Sequence, residues 1–186
     1  MRYELVGLGH SPKVAILCPR IQPNEIIKHY GDLLSVTYPL MVCDLYQDRT
    51  KKKTSNEAIK EYLADLIPNL VNAGINFLIV TQPDYFKVLS KQAKTDATIG
   101  DIYPSIVDGI SVTYMPNYSR VFYDPDKTTA KIKIGINSVI RWMNGDTAPI
   151  GKSIIKFEAY PSNDQEILDW LNKLYEMDCD LTCDIE

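Results

Sequence analysis

The chain has 186 residues, 45% of them hydrophobic, with 20 Lys and Arg against 24 Asp and Glu and a formal net charge of −4. That apolar fraction excludes an intrinsically disordered chain, and the length suits one domain with a fragment or one large domain. The acidic balance, with a pI of about 5.2, excludes a global basic footprint for nucleic acid while leaving room for local patches. No run approaches the roughly 20 apolar residues of a membrane span, so no membrane partner is expected. Met1-Arg2-Tyr3-Glu4 opens no signal peptide, and the cytoplasm is the expected compartment.

Val14-Ala15-Ile16-Leu17-Cys18 is a continuous apolar run and predicts a buried strand. Pro23 predicts a helix start, carried through Glu25, Ile26, Ile27 and Tyr30 and ended at Gly31. Leu40 to Leu45 predicts a second buried strand, followed by the basic run Arg49-Thr50-Lys51-Lys52-Lys53. Thr54-Ser55-Asn56-Glu57 has the form of a capping box. It opens a helix with Ile59, Tyr62, Leu63, Leu66, Ile67 and Leu70 on one stripe, kinked at Pro68 and stopped at Gly74. Phe77 to Thr81 predicts a third strand, and Pro83 starts a short helix with Tyr85, Phe86, Val88 and Leu89. Ser90 to Gly100 is a polar loop, and Ile110 to Tyr114 a fourth strand. Asp124-Pro125 opens a helix that turns Ile132, Ile136, Val139, Ile140 and Met143 inward and ends at Gly145.

Residues 146–151 read as a linker. Ser153 to Ala159 predicts a fifth strand, residues 162–175 an amphipathic helix, and Leu181 to Glu186 a last strand. The strands of the first half are apolar on both faces, as in a parallel sheet covered on two sides. The expected fold is therefore α/β: a three-layer α/β/α sandwich on a mainly parallel four-stranded sheet, plus a C-terminal strand-helix-strand. The expected division is a domain over residues 1–145, the linker, and a second segment over 152–186.

Several side chains carry candidate chemistry. Asp184 and Glu186 alternate along the last strand and share a face, where two carboxylates repel each other and a hard divalent cation such as magnesium relieves the repulsion. Lys51, Lys52 and Lys53 offer charge to phosphates or to an acidic surface. Tyr118 and Arg120 follow a strand end, where open α/β sheets bind ligands, and suit stacking on and neutralising single-stranded nucleic acid. His10 and His29 stand near no nucleophile motif, and Gly7-Leu8-Gly9 is too short for a phosphate loop. Cys18 and Cys43 lie in apolar runs as small buried hydrophobes, while Cys179 and Cys183 lack zinc spacing.

Two resemblances organise these readings. The strand and helix leading into Leu181-Thr182-Cys183-Asp184-Ile185-Glu186 resemble the opening of the proofreading 3′–5′ exonuclease domain of family A DNA polymerases. The segments Ile16 to Glu25, Asn76 to Leu89 and Tyr114 to Arg120 look like the skeleton of the uracil-DNA glycosylase fold, over most of residues 13–144. That family places a Gly-Glu-x-Pro-Gly loop after its first strand and His-Pro-Ser after its last. Here the first loop is Cys18-Pro19-Arg20-Ile21-Gln22, without a water-activating carboxylate, and the catalytic His falls on Met115, with only Pro116 retained.

The resemblance thus implies a degenerate glycosylase fold without glycosylase chemistry. Some phage-type family A polymerases are expected to carry such a domain before the exonuclease, an arrangement that unites both segments. It implies a scaffold or docking domain of a replicative polymerase, inactive alone, with DNA and replication proteins as partners. The chain would reach only the first exonuclease metal motif, with magnesium at Asp184 and Glu186 in the intact parent. A free-standing glycosylase-like enzyme or nucleic-acid-binding protein, with Asp-x-Glu an accident, stays open as the alternative.

Overall fold

The computed structural model describes residues 2–47, 50, 54–146 and 162–176. In chain order the elements are β1 (Tyr3–Ser11), β2 (Val14–Cys18), α1 (Pro23–Tyr30), β3 (Tyr38–Asp44), α2 (Asn56–Asn72), β4 (Phe77–Val80), α3 (Pro83–Ser90), β5 (Tyr103–Pro104), β6 (Ser111–Tyr114), α4 (Pro125–Met143) and α5 (Asp164–Glu176). The chain divides into two units, Met1–Ala148 and Pro149–Glu186. The strands expected over residues 153–159 and 181–186, and the linker over 147–151, lie outside the described residues.

The fold is mixed α/β on one six-stranded sheet of order β1-β3-β2-β4-β6-β5. β3, β2, β4 and β6 run parallel to their neighbours. The sheet is wider than the four strands expected, because β1 and β5 add antiparallel edges. Neither edge advertises itself. β1 buries only Val6, and β5 is two residues long and contains Pro104. Gly9 sits in β1 at φ +135, where an added Cβ would lie 2.7 Å from the Tyr38 carbonyl oxygen, so a close backbone approach requires glycine there.

The inner strands are buried on both faces, and the period-2 alternation divides their side chains between two cores. Ala15, Leu17, Leu78 and Val80 pack with Ile59, Leu63 and Leu66 of α2 and Phe86 of α3. Val14, Ile16, Phe77 and Ile79 pack with Ile26 and Tyr30 of α1 and Ile132, Ile136 and Val139 of α4. Helices therefore cover both faces of the sheet.

The helix starts follow local chemistry. Proline opens α1, α3 and α4, where its missing N–H costs nothing. The Asp124 carboxylate caps α4 by accepting from the Lys127 N–H at 3.3 Å. The α2 cap is Ser55, one residue later than the Thr54 box position, accepting from the Ala58 N–H at 3.3 Å. α2 runs unbroken through Pro68. The carbonyl that Pro68 leaves unbonded belongs to Ala64, and both residues are exposed, so water can serve it. In the second unit, α5 starts on a reciprocal cap: the Glu166 N–H donates to Asn163 Oδ1 at 3.0 Å, and Glu166 Oε2 accepts from the Ser162 N–H at 2.8 Å.

Candidate nucleic-acid interface

The carboxyl ends of parallel strands are where open α/β sheets bind ligands. In this chain that crevice lies among the segments after β2, β4 and β6, and protein side chains fill it. Met115, directly after β6, is 0% exposed, and its N–H donates to the Val80 carbonyl at 3.2 Å. α4 passes over it at Gly135, where an added Cβ would meet Met115 Cγ at 2.7 Å. The Tyr30 hydroxyl donates to the Pro116 carbonyl at 2.8 Å. Asn117 Nδ2 donates to Thr81 Oγ1 at 3.2 Å, and that hydroxyl donates in turn to the Leu17 carbonyl at 3.0 Å. Asn117 Oδ1 accepts from the Ser119 N–H at 2.9 Å, starting the 3-10 turn Tyr118–Phe122.

The electrostatics of the crevice match its closure. Burial pushes the Cys18 thiol up to about 12, and the thiol donates to the Arg20 carbonyl at 3.2 Å. Burial also raises the phenols of Tyr30 and Tyr118. These three groups hold their protons at neutral pH and are poor nucleophiles and bases there. His29 lies outside the network, with its ring plane 5° from that of Tyr118 at a centroid distance of 6.3 Å, and Nε2 3.3 Å from Glu25.

Tyr118, expected to stack on a ligand, is only 6% exposed. Its hydroxyl lies 3.0 Å from both the Arg20 carbonyl and Gln22 Oε1, its single proton serving one of them. The ring packs edge to face against Tyr30, with centroids 6.5 Å apart. Arg120 is exposed and lines a groove of about 280 Å³ together with Asp96, Pro116, Tyr123, Lys127 and Lys131. Lys131 is paired with Asp96 at 3.7 Å. Arg120 and Lys127 make no ion pair among the described residues. Beside the groove, Phe122 and Tyr123 are 87% and 84% exposed and meet edge to face at 5.3 Å. The Tyr114 hydroxyl is buried without a hydrogen-bond partner among the described residues, and the charges of Arg120 and Asp96 both act on it.

The sequence reading found Arg120 and missed Lys127, Phe122 and Tyr123. The available signal was the Phe-Tyr pair immediately before the Asp124-Pro125 helix start. A second groove, of about 550 Å³, runs between α2 and α3 and carries Lys60, Lys87 and Lys91 with Asp84, Val88 and Ile106.

Lys51, Lys52 and Lys53, and the carboxylates Asp184 and Glu186 expected to hold magnesium, lie outside the described residues. Among the described residues no group of three His, Cys, Asp or Glu side chains is placed to hold a metal ion. No described helix is long and apolar enough to cross a membrane. In comparisons with known proteins, no family model matches the chain and no curated protein matches it.

Proposed function

We propose that the chain is the N-terminal region of a phage-type family A DNA polymerase. Residues 1–145 would be a uracil-DNA glycosylase-like α/β/α domain without excision chemistry, acting as a scaffold or docking domain. Residues 152–186 would be the start of the 3′–5′ exonuclease. The observation that supports the absence of excision chemistry is the filled crevice at the strand ends. Uracil excision requires an open pocket that receives a flipped base and reads its edge. Met115 occupies the matching position, fully buried, and a thioether does not stabilise charge on a uracil oxygen. Four parallel strands with helices on both faces support the sandwich.

The partners in this reading are DNA and replication proteins in the cytoplasm of the host cell. Asp184 and Glu186 are the residues proposed to hold magnesium in the intact parent. Two carboxylates in Asp-x-Glu spacing are the oxygen donors a hard cation takes. The metal supplies the Lewis acidity that phosphodiester hydrolysis uses.

The test of the first domain is release of uracil from single- and double-stranded DNA by the purified chain. No release above an enzyme-free control is expected, and robust turnover would overturn the reading in favour of a free-standing glycosylase-like enzyme. In the parent enzyme, Asp184→Ala with Glu186→Ala should abolish primer degradation and leave polymerisation intact. Equal degradation by wild type and variant would remove the exonuclease assignment. Changing Lys51, Lys52 and Lys53 to Ala should weaken DNA binding and flatten its salt dependence. An unchanged affinity and salt slope would return those lysines to a solvated surface.

A further inference from the structure

We propose that Phe122 and Tyr123, with Arg120 and Lys127 beside them, form a binding platform for single-stranded nucleic acid: bases stack on the aromatic pair and a phosphate sits in the groove. The inference rests on the reading that this domain works on DNA, and it names the residues and the kind of strand.

The first observation is the exposure of the two rings. Phe122 and Tyr123 are 87% and 84% exposed, whereas Phe77 and Phe86 of the same unit are fully buried. Burying an aromatic ring is favourable, so two adjacent rings left in water are a surface with binding energy unspent. Their mutual geometry is fixed by local structure. Phe122 ends the 3-10 turn Tyr118–Phe122, which is tied down by Asn117 at one end and by the Tyr123 N–H donating to the Arg120 carbonyl at 3.0 Å at the other. The next residue, Asp124, is committed to capping α4. The pair is thus presented on a short, hydrogen-bonded step between two regular elements.

The second observation is charge. The groove beside the rings carries Arg120, Lys127 and Lys131 against Asp96 and Asp124. Asp96 is used on Lys131, and the Asp124 carboxylate accepts from the α4 backbone. Two cations, Arg120 and Lys127, have no ion-pair partner among the described residues. A phosphate brings the missing anion, and Arg can meet it with two parallel hydrogen bonds.

Rings and unpaired cations together select the ligand. An acidic peptide would satisfy the cations but offers no flat partner for the rings. A duplex would satisfy the cations too, but its bases are stacked on one another. A single strand presents both a phosphate and an unstacked base face at neighbouring positions along one chain. Tyr118 takes no part in this platform, because its ring packs against Tyr30 and its hydroxyl is held by Arg20 and Gln22.

The experiment is fluorescence anisotropy with the full chain, using a labelled oligothymidylate of about 12 nucleotides and a labelled duplex of mixed sequence. Phe122→Ala with Tyr123→Ala should weaken single-strand binding by about tenfold or more and change duplex binding by less than about twofold. Phe122→Trp with Tyr123→Trp should restore single-strand binding. Arg120→Gln with Lys127→Gln should lower the slope of log affinity against log salt by about 0.7 for each phosphate that is no longer neutralised. Thermal unfolding of each variant reports whether it is folded, and the Trp variant keeps the test decisive if the Ala variant is not.

Wild-type binding to the single strand that Phe122→Ala with Tyr123→Ala leaves unchanged would overturn the platform while the DNA-binding reading stood. Equal losses on single strand and duplex would overturn the single-strand assignment. Failure of the wild-type chain to bind either probe at low salt would overturn the DNA-binding reading itself, and would leave the aromatic pair to a protein partner.

Discussion

In the crevice at the strand ends, polar side chains meet protein partners: Tyr30 on Pro116, Asn117 on Thr81, Thr81 on Leu17, Tyr118 on Arg20 or Gln22. A few residues further along the chain the pattern reverses, with Arg120 and Lys127 unpaired among the described residues and Phe122 and Tyr123 turned to solvent. The two regions use similar residue types for opposite ends. Where hydrogen bonds close on themselves, tyrosine and asparagine stabilise one arrangement of loops and leave nothing to offer a ligand. Where they do not close, an arginine and a tyrosine keep their full capacity for an outside partner. Burial and pairing, more than residue identity, separate the closed region from the open one in this chain.

The sharpest way to break the comparison is alkaline titration. The Cys18 and Cys43 thiols, ordinarily at 9.0, are both raised to about 12 by burial. A raised pKa means that the folded state holds the proton more tightly than the unfolded state. Their contribution to stability is complete below pH 9 and lost as pH rises through 12. Urea unfolding followed from neutral to strongly alkaline pH should show this decline, and Cys18→Ala and Cys43→Ala should each reduce it. A flat alkaline profile would mean that the crevice end of β2 admits water.

Packing gives the next effect. Met115→Ala removes a fully buried side chain under α4 and should cost about 2–5 kcal/mol, read from the shift in denaturation midpoint at constant slope. A loss below about 1 kcal/mol would show that the crevice collapses easily. Asn117→Ala removes the bond to Thr81 and the cap on the Ser119 N–H, and should cost about 1–2 kcal/mol. On the other side of the comparison, Phe122→Ala with Tyr123→Ala should change stability by less than about 0.5 kcal/mol, because neither ring is packed into the core. A larger loss there would make the aromatic pair structural and erase the contrast.

The inner sheet was legible from sequence because β2 and β4 are apolar at each position, a pattern that needs no knowledge of partners. β1 was not legible: it buries one residue, and Gly7 and Gly9 at φ 97 and 135 interrupt any alternation. At the site, Arg120 was found because a cation in a loop after a strand is a local fact. The burial of Tyr118 was hidden because its partners, Arg20 and Gln22, are 98 and 96 residues away in the chain. Lys127 and Lys131 lie four residues apart on α4. Their meeting with Arg120 and Asp96 is a product of the tertiary fold.

The packing of Met115 against Gly135 has a consequence for how this sequence can change over time. Gly135→Ala alone would favour the α4 helix by about 1 kcal/mol, yet its methyl carbon would stand 2.7 Å from Met115 Cγ. Replacing Met115 first leaves a hole beneath Gly135. Each single step meets resistance that the paired step avoids, so the two positions are epistatic, and a double-mutant cycle between them should show clear non-additivity.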